Sequence, residues 1–340
     1  MKRKGYNVQV ATLNHKGPLH KKIIEYGIAV KVFDIVSSYY TTNSIKKILR
    51  LAGFIRKEKF DIVQTYGYYS TVPGVIAAKL AFTKTIIAGK RDMNEMLTPK
   101  KIFTEKLLWK FCNKIVVNAE RIRQHLVDHE HVNPENLTVI YNGVDTEVFR
   151  PNRIELIRDQ VTVGMIANFR KQKDHETFLL AAKRLYEEDI CSRFYLVGSG
   201  IYENRVKNLC NRLGLGDAVI FTGTITGSTL LDIYNKLSIL VLSSTNEGVP
   251  NVILEAMAMG IPVIANPSGG VPELLDDGNT GFLFPFKDVD SLTGKIKFLL
   301  SNGRTIQMFQ QNAIKRVSAN FTRHIMLRNI EGLYANCIRN

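Results

Sequence analysis

Glu247 and Glu255 stand eight residues apart in the stretch SSTNEGVPNVILEAMAMGIPVIANPSGGVPELLDDGNTGFLFP, Ser243 to Pro285. Carboxylates accept hydrogen bonds and pair naturally with hydroxyl groups. The elements around them are suited to the opposite charge. Ile239–Leu242 is a short apolar run that reads as a buried parallel strand, Pro250 opens a helical segment, and Gly260 with Pro262 closes it before a strand at Val263–Ala265. In such a strand, loop, helix, strand unit the helix N-terminus lies at the carboxyl edge of the sheet, where free backbone N–H groups can hold a diphosphate. Two carboxylates beside an anion site would repel the anion unless they faced something else. A ligand with both a diphosphate and many hydroxyls meets the requirement, and a nucleotide sugar is one. The plainer alternative is a solvated loop glutamate and an exposed helix glutamate.

The string E-G-V-P-N-V-I-L-E, followed by A-M-A-M-G-I-P-V-I-A and G-G-V-P-E-L, resembles the donor-site signature of the retaining glycosyltransferases of family four, over more than forty residues. The segment N-G-V-D-T-E-V-F-R-P, Asn142 to Pro151, resembles the stretch that leaves the N-terminal domain in the same family. The resemblance implies two Rossmann-like α/β domains facing across a cleft, the GT-B fold. It implies that Glu247 hydrogen-bonds donor-sugar hydroxyls, that backbone N–H groups at Asn251 and Val252 hold the phosphates, that Glu255 binds the ribose, and that Lys173 faces the diphosphate. Relatives usually carry arginine where this chain has Asn168. Arg170, two positions on and on the same face of an extended loop, is the candidate substitute. The family's retaining chemistry needs no side-chain nucleophile, metal or resident cofactor, since the UDP- or GDP-sugar is a co-substrate.

Strands alternating with amphipathic helices predict parallel sheets in two domains, which suits a chain of 340 residues. The expected extents are 1–148 for an acceptor-side domain, 149–320 for the donor domain and 321–340 for a last helix crossing back, with the junction near Thr146–Asn152. Ser44–Lys59 reads as a basic helix with Ile45, Ile48, Leu49, Ala52 and Ile55 on its apolar face. Relatives normally begin with a further strand, a Gly-Gly loop and a helix. The resemblance therefore implies an N-terminal domain incomplete at its start, from truncation or a misassigned start, and a Val8–Leu13 strand left partly unpaired.

Charge is unevenly spread. Residues 1–114 hold 22 Lys and Arg against 7 Asp and Glu, so the whole formal excess of +15 lies there and the remainder balances at 24 against 24. A basic front suits an anionic membrane surface, a lipid-linked diphosphate, an acidic glycan or nucleic acid, with solubility alone as the plainer alternative. In the segment from Lys90 to Cys112, lysines alternate with Phe103, Leu107, Trp109 and Phe111. Core burial of the apolar residues with solvated lysines is the expected arrangement, and docking on an anionic membrane is the other. No nucleic-acid motif is present. No run approaches the roughly 18 apolar residues of a membrane span, and the front is too short in apolar residues for a signal peptide, so a cytoplasmic place, extending to the inner face of the plasma membrane, is expected. The four cysteines lack metal or redox spacing. Asp288-Val289-Asp290 reads as a helix start rather than a metal site, and His129 and His131 lack a third ligand.

These readings converge on transfer of a sugar from a UDP- or GDP-sugar to a glycan or lipid-linked acceptor in cell-surface polysaccharide synthesis. An inactive carbohydrate- or nucleotide-binding remnant, or a nucleotide-sugar epimerase on the same fold, are the alternatives.

Overall fold

Short apolar runs of three to six residues, separated by amphipathic helices, set the architecture of this chain. The computed structural model describes residues 1–14, 23–35, 41–92, 97–151 and 161–339. It divides into two α/β units. One comprises Met1–Asn118, Arg123–Ile140 and Leu327–Asn340, and the other Ala119–Ile122 and Tyr141–Met326. Met93–Met96 of the basic segment, and Asn152 at the expected junction, lie outside the described residues.

In the first unit, β1 (Gln9–Thr12) pairs in parallel with β2 (Ala29–Val32). A second parallel sheet runs β3 (Ile62–Tyr66), β4 (Thr85–Lys90), β5 (Lys114–Val117), β6 (Leu137–Val139) in that spatial order. Among the described residues β1 has one ladder partner and β3 has one, so each keeps an unpaired edge. Every residue of β4 is buried, as its near-continuous apolar sequence predicts for a strand covered on both faces.

Helix α1 (Thr42–Glu58) starts where the Thr41 hydroxyl accepts from the Ser44 N–H at 3.2 Å, and ends at Lys59 in the left-handed region. Its buried face is Ile48, Leu51, Ala52 and Ile55, whereas Ile45 and Leu49 are exposed. The apolar stripe read from sequence is therefore rotated by part of a turn. The helix packs on Phe33 and Ile35, just beyond β2, and on α2 (Tyr68–Leu80) through Ala77, and those neighbours select the face. Helix α2 starts four residues before the sequence-predicted Val72. Gly67 carries φ 75, and its carbonyl accepts from the Thr71 N–H at 3.0 Å, so a turn forms ahead of Pro73. In α3 (Pro99–Trp109) Leu108 and Trp109 are buried, but Phe103 and Leu107 are exposed, as is Phe111 just beyond. Core burial of all these apolar side chains is thus corrected, because the helix offers one face to the unit and turns the other to solvent.

In the second unit six parallel strands, β7 (Thr162–Ile166), β8 (Arg193–Val197), β9 (Val219–Gly223), β10 (Ile239–Leu242), β11 (Val263–Ala265) and β12 (Phe282–Leu283), lie in the order β12-β11-β10-β7-β8-β9. The chain builds outward from β7 to β9, then returns across β7 to lay down β10 on its other side. Loops leaving β7 and β10 therefore diverge at the carboxyl edge, which is where open α/β sheets bind ligands. Four helices connect and continue this sheet up to β11: α5 (His175–Glu187), α6 (Glu203–Arg212), α7 (Ser228–Lys236) and α8 (Asn251–Ala258), following α4 (Glu120–Asp128) in chain order.

Packing contacts pass from the first unit to the second at Ile140–Tyr141. Val144 bridges to Thr322, and a side chain on Gly143 would meet the Thr322 carbonyl oxygen at 2.5 Å. Asn142-Gly143, read as a tight turn, instead serves a close backbone approach within the second unit. The Asp288 carboxylate accepts from the Ser291 N–H at 2.9 Å and caps the helix Val289–Ser301, while Asp290 pairs with Arg184.

Candidate functional site

Two loops leave neighbouring strands at the switch point, 167–174 after β7 and 243–250 after β10. The first is shaped from below. Phe169 is buried and stacks on His175 with ring centroids 4.4 Å apart. Gly198 and Gly200 press against it so closely that a methyl on either would collide with the Ala167 or Phe169 carbonyl. Gly198-Ser199-Gly200 is thus a spacing device between two loops. Arg170 has extended backbone, Lys171–Lys173 form one tight helical turn, and Asp174 caps α5 by accepting from the Thr177 N–H at 3.5 Å and also accepts from the Thr177 hydroxyl at 2.6 Å.

The second loop is tied to the first. The Thr245 N–H donates to the Gln172 carbonyl at 2.8 Å, and the buried Ser243 hydroxyl donates to that of Asp174 at 2.8 Å. On its other side lie Gly269 and Gly270. Gly269 has φ 52, and a side chain there would overlap the Glu247 carbonyl, while the Gly270 N–H donates to the Gly248 carbonyl at 2.8 Å. Glycine is needed at 269 for both reasons.

This framework brings Lys173 and Glu247 together as an ion pair with both side chains mostly buried. The ammonium fixes the carboxylate's direction while leaving it free lone pairs for a ligand. Next to Glu247, helix α8 begins at Pro250 with no side-chain cap among the described residues and no acidic residue in its first turn, which leaves the N–H groups at Asn251 and Val252 as a donor pair carrying the positive end of the helix dipole. Asn142 donates to the Val249 carbonyl at 2.8 Å and to the Asn251 side-chain oxygen at 3.0 Å, holding the start of that helix.

Glu255 lies one turn further on. The Tyr234 hydroxyl, on a fully buried ring of α7, donates to its Oε2 at 2.6 Å. Burial raises the Glu255 pKa above the ordinary carboxylate value, and the tyrosine bond partly offsets that. The tyrosine itself is held well above its usual value by burial and by the neighbouring carboxylate. Under the first loop, burial lowers His175 to about 4, so the imidazole is neutral at physiological pH.

Of the residues chosen from sequence, Lys173, Glu247, Asn251, Val252 and Glu255 fall on these adjoining segments. Arg170 is exposed, and its side chain has no ion-pair partner among the described residues. Tyr234 and Asn142 escaped the sequence reading. A tyrosine on the buried face of an amphipathic helix always requires a partner for its hydroxyl, and that was the available signal. Glu273 accepts from the Glu120 and Arg121 N–H groups at 2.7 and 2.8 Å and from the Tyr141 hydroxyl at 2.7 Å, which ties Ala119–Ile122 to the second unit. A cavity of about 820 Å³ lies in the first unit, bounded by β6 and the final helix, and includes none of the site residues. Among the described residues no group of three or more His, Cys, Asp or Glu could hold a metal.

The arrangement offers a lysine and a helix N-terminus to an anion and two oriented carboxylates to hydroxyls. Comparison with known proteins points the same way. The family model described as Glycosyl transferases group 1 matches residues 150–316, and that described as Glycosyltransferase Family 4 matches residues 1–148. The chain is 31% identical over 255 residues to a D-inositol 3-phosphate glycosyltransferase of Streptomyces bingchenggensis, an alignment covering 66% of this chain and 56% of that protein's length. It is 25% identical over 316 residues to the UDP-Gal:alpha-D-GlcNAc-diphosphoundecaprenol alpha-1,3-galactosyltransferase of Escherichia coli, covering 87% of this chain and 80% of that one. Among solved structures, a glycosyltransferase from Rickettsia africae superimposes with TM-score 0.84 at 22% identity, covering 100% of this chain and 92% of that one. HepE of Anabaena, solved with UDP and glucose, gives TM-score 0.84 at 20% identity, covering 96% and 91%. With both units matched along nearly their whole length, the chain belongs to glycosyltransferase family four and has the GT-B fold.

Proposed function

We propose that the protein transfers a sugar from a uridine-linked nucleotide sugar to a hydroxyl of a glycan or lipid-linked acceptor, in cell-surface polysaccharide synthesis. The observation that carries this reading is the Lys173–Glu247 ion pair set beside the uncapped start of Asn251–Ala258, with Glu255 held by Tyr234 one turn behind. Uridine is favoured over guanosine by HepE, which binds UDP, and by the Escherichia coli relative, whose name specifies UDP-galactose.

In this proposal the Asn251 and Val252 N–H groups and the Lys173 ammonium stabilise charge that grows on the diphosphate as the glycosidic bond breaks. Arg170, extended from the same loop, adds a second cation. Glu247, oriented by Lys173, accepts hydroxyls of the sugar and keeps its anomeric carbon in line with the acceptor. Glu255 accepts ribose hydroxyls with the lone pairs that Tyr234 does not use. The acceptor oxygen attacks from the face the diphosphate leaves, and the diphosphate takes the acceptor proton, so configuration is retained without a protein nucleophile. Neither a metal nor a resident cofactor enters these steps.

The test is a thermal-shift panel of UDP, GDP and their common sugars on the full chain, with Glu255→Ala and Lys173→Ala beside it. The expected result is stabilisation by UDP and one UDP-sugar, lost in both variants. Stabilisation that survives both substitutions would remove the site from consideration. Release of UDP on adding a diphosphate-linked glycan then separates transfer from mere binding.

A further inference from the structure

We infer that the cavity between β6 and the final helix, Arg323–Arg339, is a second binding site, built for a saccharide that carries a phosphate or a carboxylate. Its volume of about 820 Å³ is that of a small-molecule site, and every residue that bounds it belongs to the first unit. The helix beside it is firmly seated. Leu333 is buried, the Tyr334 hydroxyl donates to the Gln64 side chain, and the Thr85 hydroxyl donates to the Cys337 carbonyl at 3.1 Å. Loose docking therefore does not account for the space, and Gly332 does. This glycine lies inside the helix, where alanine would be more stable, and nothing stands within 4 Å of the position its Cβ would take. A glycine kept for close packing would have a neighbour there.

The lining selects the ligand. Lys114, Arg328 and Arg339 bring three cations to the cavity, and among the described residues no acid bounds it. Glu331, the one acid of the helix, pairs with Lys4 at 2.6 Å instead. Neither arginine has an ion-pair partner among the described residues, so each guanidinium fork can take an oxyanion through two parallel bonds. Lys114 donates to the Glu135 carbonyl at 2.6 Å, which leaves two of its three N–H groups for a ligand. The same walls carry the carboxamides of Asn329 and Asn336, which both donate and accept, as sugar hydroxyls require. No aromatic ring among the described residues bounds the cavity, so a nucleobase would find nothing there to stack on. An oxyanion for the cations and hydroxyls for the amides describe a sugar phosphate or a uronate-bearing glycan. A glycan segment bound here would stay on the enzyme between transfers, and that consequence alone rests on the proposed transfer.

The experiment is calorimetric titration of the full chain, with UDP present, using glucose 6-phosphate, a galacturonate tetrasaccharide, glucose and inorganic phosphate on wild type, Gly332→Leu and Arg328→Gln/Arg339→Gln. Wild type should bind at least one of the two anionic saccharides about tenfold more tightly than glucose or inorganic phosphate, since hydrogen bonds to a charged group are worth about that factor. Gly332→Leu fills the space and should weaken that binding about tenfold or more, yet melt a few degrees higher because leucine is the better helix former. Unfolding then does not explain the loss. The arginine variant should also lose about tenfold on the anionic saccharides. Tighter binding of the tetrasaccharide identifies a glycan segment as the ligand, and tighter binding of glucose 6-phosphate a free sugar phosphate. Binding of neither, affinity unchanged in Gly332→Leu, or inorganic phosphate bound as tightly as the saccharides overturns the proposal. UDP stabilisation should be the same in all three proteins, so this inference and the donor-site reading fail separately.

Discussion

Tyr234→Phe removes one oxygen and nothing else from the candidate site. The ring stays fully buried, in edge contact with Phe149 at 5.8 Å. What is lost is the 2.6 Å bond to Glu255 Oε2. A hydrogen bond to a charged group contributes roughly 1.5–3 kcal/mol, and because Glu255 is half-buried and water can partly replace the donor, a stability loss of about 1–2 kcal/mol is expected. Affinity should fall separately. A glutamate freed to sample other rotamers must be reordered on binding, a cost of about 1 kcal/mol or fivefold in Kd for UDP. There is also a pH signature. Burial raises the Glu255 pKa and the tyrosine bond lowers it, so the variant's carboxyl protonates at higher pH than the wild type's. Binding that needs the carboxylate should weaken earlier as pH falls. Calorimetric titration with UDP near neutral pH and at about pH 5, with melting curves alongside, reads all three effects. In a Glu255→Ala background the tyrosine change should have no further effect on affinity, because the pair acts as a unit. An unchanged Kd at both pH values, accompanied by a lower melting temperature, would refute the reasoning and leave Tyr234 as a packing residue.

Two further expectations concern the framework. His175 has its folded pKa depressed to about 4 from 6.5, so it contributes stability above pH 6.5 that is lost as pH falls toward 4, about 3 kcal/mol in all; His175→Phe should flatten that limb in pH-dependent denaturation, and a variant with the wild-type slope would remove His175 as the cause. Glu105 and Glu255, both raised by burial, act with the opposite sign, so the comparison with wild type isolates the histidine. In Thr42–Glu58, Leu51→Ala should cost about 2–5 kcal/mol and Leu49→Ala within about 0.5 kcal/mol, measured by denaturant unfolding; equal losses would restore the stripe read from the sequence.

The sequence by itself determined what depends on neighbours along the chain. Ile239–Leu242 as a buried strand, the helix opened by Pro250 and the strand at Val263–Ala265 follow from apolar runs bounded by proline and glycine, and the structure forms them within a residue of that reading. Lys173, Glu247 and Glu255 stood out because their spacing about those elements matches a known family. Tertiary structure decided what depends on residues far apart in the chain. Tyr234 and Glu255 are twenty-one positions apart and Asn142 and Asn251 one hundred and nine, and no local pattern specifies which hydroxyl or amide will satisfy which partner. Gly269 reads as one more turn glycine until the Glu247 carbonyl is found where its side chain would be. The same holds for faces. Periodicity marks Ile45 and Leu49 as equivalent to Ile48, because it records that a helix is amphipathic but not which arc its neighbours cover. Only packing against Phe33, Ile35 and Tyr68–Leu80 chose Leu51 over Leu49. Packing likewise buried Leu108 and Trp109 of Pro99–Trp109 and left Phe103 and Leu107 exposed.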